Sequence, residues 1–171
     1  PAGPSALRFP RGNCPVREEI PEAGREEMRV GRAEVLRDGD EGAVVWAYGS
    51  MVGVALEAAA RLAARGVEIG VVDARFAKPL DETLLARHLR RYRHLLTLED
   101  HQRAGGFGSA VLEAAARTPV EGRAAHLRVL GLPDRFVDHM TTREEQLASV
   151  GLDAPGVERT IAQLLGTVSV R

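Results

Sequence analysis

Apolar positions fall into short unbroken runs that alternate with longer stretches spaced by three and four. Ala43–Tyr48 (AVVWAY) is apolar throughout, which predicts a strand buried on both faces. Met51–Arg65 then reads as an Ala-rich helix with Val52, Leu56, Ala59, Leu62 and Ala63 inward, ended by Gly66 in a left-handed conformation. Val67–Val72 is the next strand, and Asp81–Tyr92 a helix with Leu84, Leu85 and Leu89 inward. His94–Glu99 predicts a third buried strand, Gly108–Arg117 a helix with a glycine-rich start, and His126–Leu130 a fourth strand. Arg32–Leu36 adds a short strand ahead of these, and about Thr142–Val150 and Pro155–Leu165 form two terminal helices. Such alternation predicts an α/β fold: three layers, α/β/α, around a mostly parallel sheet.

The first residues have a different pattern. Ser5–Phe9 is a strand-like run stopped by Pro10, and Arg11-Gly12-Asn13 is a turn. Cys14–Val30 carries Pro15, Pro21, Gly24 and many charges, the composition of an exposed linker. The expected organisation is a last strand of a preceding domain (1–13), a linker (14–30), the α/β domain (31–166) and a short tail (167–171). The chain opens without Met and in mid-element, so it reads as a piece of something longer.

Composition narrows the partners. Aromatic residues are only 4% of the chain, so Ala, Val and Leu bury most of the core, which suits close helix-on-sheet packing. A net charge of −1 offers no electrostatic footprint for nucleic acid or an anionic membrane, and neither is expected as a partner. No apolar run approaches the ~18 residues of a spanning helix. Cys14 is alone, which excludes an internal disulfide and fits a reducing, cytoplasmic location.

Several stretches could carry chemistry. Gly105-Gly106-Phe107-Gly108-Ser109 lies between a strand and a helix, where amides could hold a phosphate. It lacks the ending of a P-loop and the order of a dinucleotide site, so close helix approach or a subunit contact is the simpler reading. Ser50 is outside any nucleophile-elbow pattern and is expected to cap the following helix. The five histidines show no ligand spacing, but His101 and His139 sit in strand-end loops, where functional residues gather. Glu99 and Asp100 are neighbours on an extended segment, point opposite ways and make no acid–base dyad by themselves; Glu99 could instead order the adjoining loop. Arg8 and Arg11 flank a strand end, where a guanidinium is a sensible anion anchor, and spacing alone does not separate that role from an exposed linker charge.

Taken together, five blocks are more specific than any one: R-F-P-R-G-N (8–13), D-A-R-F-A-K-P-L-D (73–81), E-D-H…A-G-G-F-G-S (99–109), G-L-P-D (131–134) and G-L-D (151–153). In that order, from Gly3 to about Leu165, they resemble the C-terminal part of the 1-deoxy-D-xylulose-5-phosphate synthase family of transketolase-like enzymes. The resemblance implies a homodimeric enzyme that condenses pyruvate with glyceraldehyde 3-phosphate, losing carbon dioxide, with thiamine diphosphate and Mg²⁺. It implies a place in isoprenoid, thiamine and pyridoxal precursor synthesis. It assigns substrate-phosphate binding to Arg11, with Arg8 a weaker candidate, and no catalytic, cofactor-binding or metal-binding residue to this chain. The family's thiamine diphosphate signature is absent, and Asp38-Gly39-Asp40 reads as a surface turn; these residues alone are expected to be inactive and to hold no cofactor. Two alternatives stand beside this: a non-catalytic dimerisation or scaffold module, and the equivalent domain of a 2-oxo acid dehydrogenase β-subunit, which the R-F-P-R-G-N block disfavours.

Overall fold

Each central strand sends alternate side chains into two apolar layers, and this two-sided burial fixes the architecture. The computed structural model describes residues 3–4, 6, 28–120, 124–140 and 142–167. Its elements in chain order are β1 (Glu34–Arg37), β2 (Ala43–Ala47), α1 (Met51–Ala63), β3 (Gly70–Asp73) and α2 (Glu82–Arg91). They continue as β4 (His94–Gln102), α3 (Phe107–Arg117), β5 (His126–Leu132), α4 (Arg143–Ser149) and α5 (Ala154–Leu165). The strands form one sheet in the order β1-β3-β2-β4-β5; β1 runs antiparallel to β3 and the other pairings are parallel. The expected three-layer fold is the observed one.

Ala43, Val45 and Ala47 of β2 face α1 and α5, together with Val71 of β3 and Leu96 and Leu98 of β4. Val44 and Trp46 face the other way, with Val72 and Leu95, against Leu84, Leu85 and Leu89 of α2 and Phe107 and Val111 of α3. All five β2 residues are fully buried, as an unbroken apolar run requires. On α1 the buried stripe is Met51, Ala55, Ala58, Ala59 and Leu62. The expected face was Val52, Leu56, Ala59, Leu62 and Ala63, but Val52 and Leu56 are only partly buried. The helix turns its alanines to the sheet and α5, where small side chains allow close approach, and leaves the branched residues at the flanks. β4 also runs further than Glu99: its ladder with β5 is interrupted after Leu98 and resumes at Gln102 opposite Leu132.

Two buried polar groups tie this core together. The Trp46 indole N–H donates to Nδ1 of His88 at 3.0 Å, with His88 packed edge-on against both Trp46 and Tyr92. Burial, aided by the Arg87 and Arg91 charges, pushes the His88 imidazole down to about 4, so it stays neutral and keeps Nδ1 as an acceptor. Glu99, 1% exposed, takes the backbone N–H groups of Phe107 and Gly108, both at 2.7 Å. Its carboxylate is the cap that α3 otherwise lacks, since Gly106 at the N-cap has no side chain.

Each tie predicts a stability effect. As pH falls below the free imidazole value of 6.5, the unfolded chain binds a proton that folded His88 refuses until about 4, so stability drops across that window. The loss is about 3 kcal/mol at full extent, read from urea melts at stepped pH. His88→Gln, which still offers Trp46 an acceptor, removes that component. For the second tie, Glu99→Ala strands two buried amides and lowers unfolding free energy by about 3 kcal/mol. Glu99→Gln, able to accept only one of them, costs less, and a loss under about 1 kcal/mol for the alanine variant contradicts the capping role.

Candidate functional site

The chain leaves β2 towards β3 on one side and later returns to β4 on the other, which makes the carboxyl end of β2 a topological switch point. In open α/β sheets the crevice at such a point is where ligands and partners are met. A crevice of about 1650 Å³ opens there, lined by Tyr48 and Ser50 beyond β2, Asp73 and Arg75 beyond β3, Asp100 and His101 on β4, and Phe107 at the start of α3. Tyr48 and Phe107 stack across its lip with ring centroids 5.0 Å apart.

Arg75 is the described non-glycine residue with left-handed backbone (φ 55°), an arrangement that persists only where the surroundings hold it. Its backbone N–H donates to Asp73 at 3.0 Å, and its guanidinium pairs with Glu34 and lies 3.8 Å from Asp73. Burial raises the Asp73 carboxyl above its usual value, against the opposing pull of Arg75. Two carboxylates thus balance a guanidinium only 9% exposed, so Arg75 clamps β1 to the loop after β3 rather than offering an open cation.

On the opposite wall Ser50 donates to Asp100 at 2.8 Å, and the Arg143 guanidinium donates to both Ser50 and Asp100 at 2.8 Å. Burial by itself would raise the Asp100 carboxyl, but the bonds from Arg143 and Ser50 outweigh it and hold it below the ordinary carboxylate range. This corrects the expected cap: Ser50 makes no side-chain bond to α1. Its backbone is itself helical (φ −62°, ψ −13°), not extended as a capping residue's is, and its hydroxyl turns across the crevice instead.

The glycine-rich segment 105–109 is resolved by Glu99. The amides that a phosphate would use, those of Phe107 and Gly108, already hold this buried carboxylate. A Cβ on Gly106 would sit 2.3 Å from a Glu99 carboxyl oxygen, and one on Gly108 would sit 2.5 Å from Val129 and 2.6 Å from Thr97. Close approach of helix to sheet accounts for these glycines; the anion site is filled by the chain's own side chain.

The arginines singled out by sequence, Arg8 and Arg11, lie outside the described residues. His101 lines the crevice, whereas His139 is exposed and lines neither it nor the smaller cleft beside α5. Asp38 of the Asp38-Gly39-Asp40 turn is engaged by Arg91 and Tyr92, and among the described residues no three His, Cys, Asp or Glu side chains are grouped to hold a metal. The Asp38-Gly39-Asp40 turn does not fit an Mg²⁺ site. Sequence reasoning missed the joining of Ser50, Asp100 and Arg143, which are 50 and 43 residues apart along the chain. No local pattern marks a contact of that span. Among the described residues no helix is long and apolar enough to cross a membrane.

Comparison with known proteins accords with this geometry. The family model "Transketolase, C-terminal domain" matches residues 31–157. A 1-deoxy-D-xylulose-5-phosphate synthase of Thermus thermophilus is 45% identical over 162 residues, covering 95% of this chain and 24% of that protein. The synthase of Gloeobacter violaceus is 43% identical over 171 residues, covering 98% of this chain and 25% of its own length. This chain therefore spans about a quarter of the curated relatives it matches. Among solved structures, a split-gene transketolase described as an inactive β4 tetramer is 32% identical with a TM-score of 0.70, covering 86% of this chain and 46% of its own. A transketolase mutant from Pichia stipitis, 21% identical, shares the fold with a TM-score of 0.55 over 79% of this chain and 18% of its own. With three quarters of its length matched by that model and its sheet built in the same way, the chain belongs to the transketolase C-terminal domain family.

Proposed function

We propose that the chain is the C-terminal part of a 1-deoxy-D-xylulose-5-phosphate synthase and contributes a substrate-phosphate anchor to it. The observation that carries this is identity above 40% to several such synthases across nearly the whole chain, a likeness of sequence and not only of fold. In this reading residues 1–13 belong to the domain that precedes the one described, 14–30 link the two, and 31–166 form the terminal α/β domain. The full enzyme joins pyruvate to glyceraldehyde 3-phosphate with loss of carbon dioxide and acts as a cytoplasmic homodimer. Thiamine diphosphate with Mg²⁺ supplies the carbon nucleophile of that reaction, and no step of it is assigned to the residues of this chain. Their part is to grip and to scaffold.

Arg11 is the anchor in this reading. Two alternatives within the described domain are weakened, since the α3 amides hold Glu99 and Arg75 is balanced by Glu34 and Asp73. A guanidinium takes a phosphate through two parallel hydrogen bonds, and Arg8, two positions before Pro10, is the weaker neighbour.

A second reading, in which the domain by itself is an assembly module, draws on the split-gene neighbour, whose description names a tetramer. The stacked Tyr48–Phe107 lip and the broad crevice would then meet another subunit.

In the full-length enzyme, Arg11→Ala should raise the KM for glyceraldehyde 3-phosphate by roughly 10–100-fold, the worth of a charged bidentate contact. The KM for pyruvate should move little, and equal effects on both substrates would remove Arg11 from the role. For the assembly reading, light scattering behind size exclusion should give a mass above one chain at high concentration. A strict monomer argues against it.

A further inference from the structure

Beside the edge strand β5 lies a second cleft, of about 490 Å³, that shares no lining residue with the crevice at the switch point. Four arginines converge on it: Arg103 after β4, Arg128 on β5, Arg135 beyond β5 and Arg159 on α5. No aspartate or glutamate lines it. All four side chains are exposed. None forms an ion pair or a side-chain hydrogen bond among the described residues, whereas Arg32, Arg37, Arg61, Arg65, Arg75, Arg91, Arg117 and Arg143 each meet a carboxylate.

Two carboxylates on and beside α5 are committed elsewhere. Glu158, next to Arg159 in sequence, is buried and pairs with Arg61 and Arg65 of α1 and its end. Asp153 accepts the Gly156 N–H at the start of α5. The backbone explains the convergence. Gly156, Arg159, Thr160 and Gln163 line the cleft at spacings of three and four, one face of α5, while Arg128 shares a strand face with Leu130, which packs towards α5.

We propose that this cleft binds a small polyanion carrying two phosphoryl groups. Guanidinium forks match phosphoryl oxygens bidentately. Four unbalanced charges in one small cavity need a ligand of high charge in little volume. A phosphomonoester brings only about 1.5–2 negative charges, and a monocarboxylate fewer. Nucleic acid is disfavoured because the cationic surface is a bounded concavity on a chain of net charge −1, not a stripe. A cavity of 490 Å³ is the size of a small-molecule site. The proposal stands independently of the enzymatic reading.

Titration calorimetry of the 171-residue chain with inorganic diphosphate, in Mg²⁺-free buffer of low ionic strength, tests it. The expected result is saturable one-to-one binding that weakens steeply with added salt. Arg128→Ala with Arg159→Ala should weaken it by roughly tenfold or more, the scale of losing charged hydrogen bonds. Arg90→Ala, an exposed and unpaired arginine on the far helix α2, should leave it within about twofold, since a charge so placed is screened. Melting temperatures of all variants should stay close to the parent, because the substituted side chains are exposed. No saturable binding overturns the proposal, as does equal weakening by Arg90→Ala. Citrate binding as tightly as diphosphate overturns the phosphoryl assignment.

Discussion

A buried carboxylate at the end of β4 governs what this domain can and cannot bind. Glu99 reaches from the strand to the first amides of α3 and neutralises the positive end of that helix from within. In many α/β folds those amides are left for a ligand phosphate. Here the site is closed, and close packing of Gly106 on Glu99 and of Gly108 on Val129 keeps helix and strand in register around it. The crevice at the switch point consequently lacks the usual phosphate cradle, although it has the usual position.

The same principle of internal charge balance runs through the rest of the crevice. Arg75 is held by Glu34 and Asp73, and Asp100 by Arg143 and Ser50. The Arg75–Glu34 and Arg143–Asp100 pairs join segments distant in sequence and brace the crevice walls. Such a surface suits contact with another domain or subunit better than capture of a small anion. The arginines beside α5 are the contrasting case, a cationic cluster that the fold leaves uncompensated.

The fold was legible because short apolar runs alternate with stretches of helical spacing. The apolar run AVVWA forms the expected strand buried on both faces, and Leu84, Leu85 and Leu89 mark the inner side of α2 as expected. Where reading failed, the cause was tertiary. The α1 stripe shifted because alanines can face either way until a neighbouring helix selects them, and α5 is far along the chain. Ser50 has the right residue type for a cap, but its partner Asp100 could not be foreseen from local pattern. The glycine-rich segment was correctly set apart from known phosphate motifs. Glu99 was expected to order the adjoining loop, but that it does so by filling the Phe107 and Gly108 amides is marked by no local pattern. The weight placed on Arg11 came from matched blocks and not from periodicity, and the described residues do not include it.

The α3 amides serve the protein itself and not a ligand. Heteronuclear NMR of the chain reads them directly. The Phe107 and Gly108 amide protons should resonate downfield, exchange slowly with solvent and stay unmoved when inorganic phosphate is added to millimolar levels. Fast exchange at those amides, or phosphate-dependent shifts confined to them, would mean that Glu99 does not close the site and that the crevice takes an anion after all.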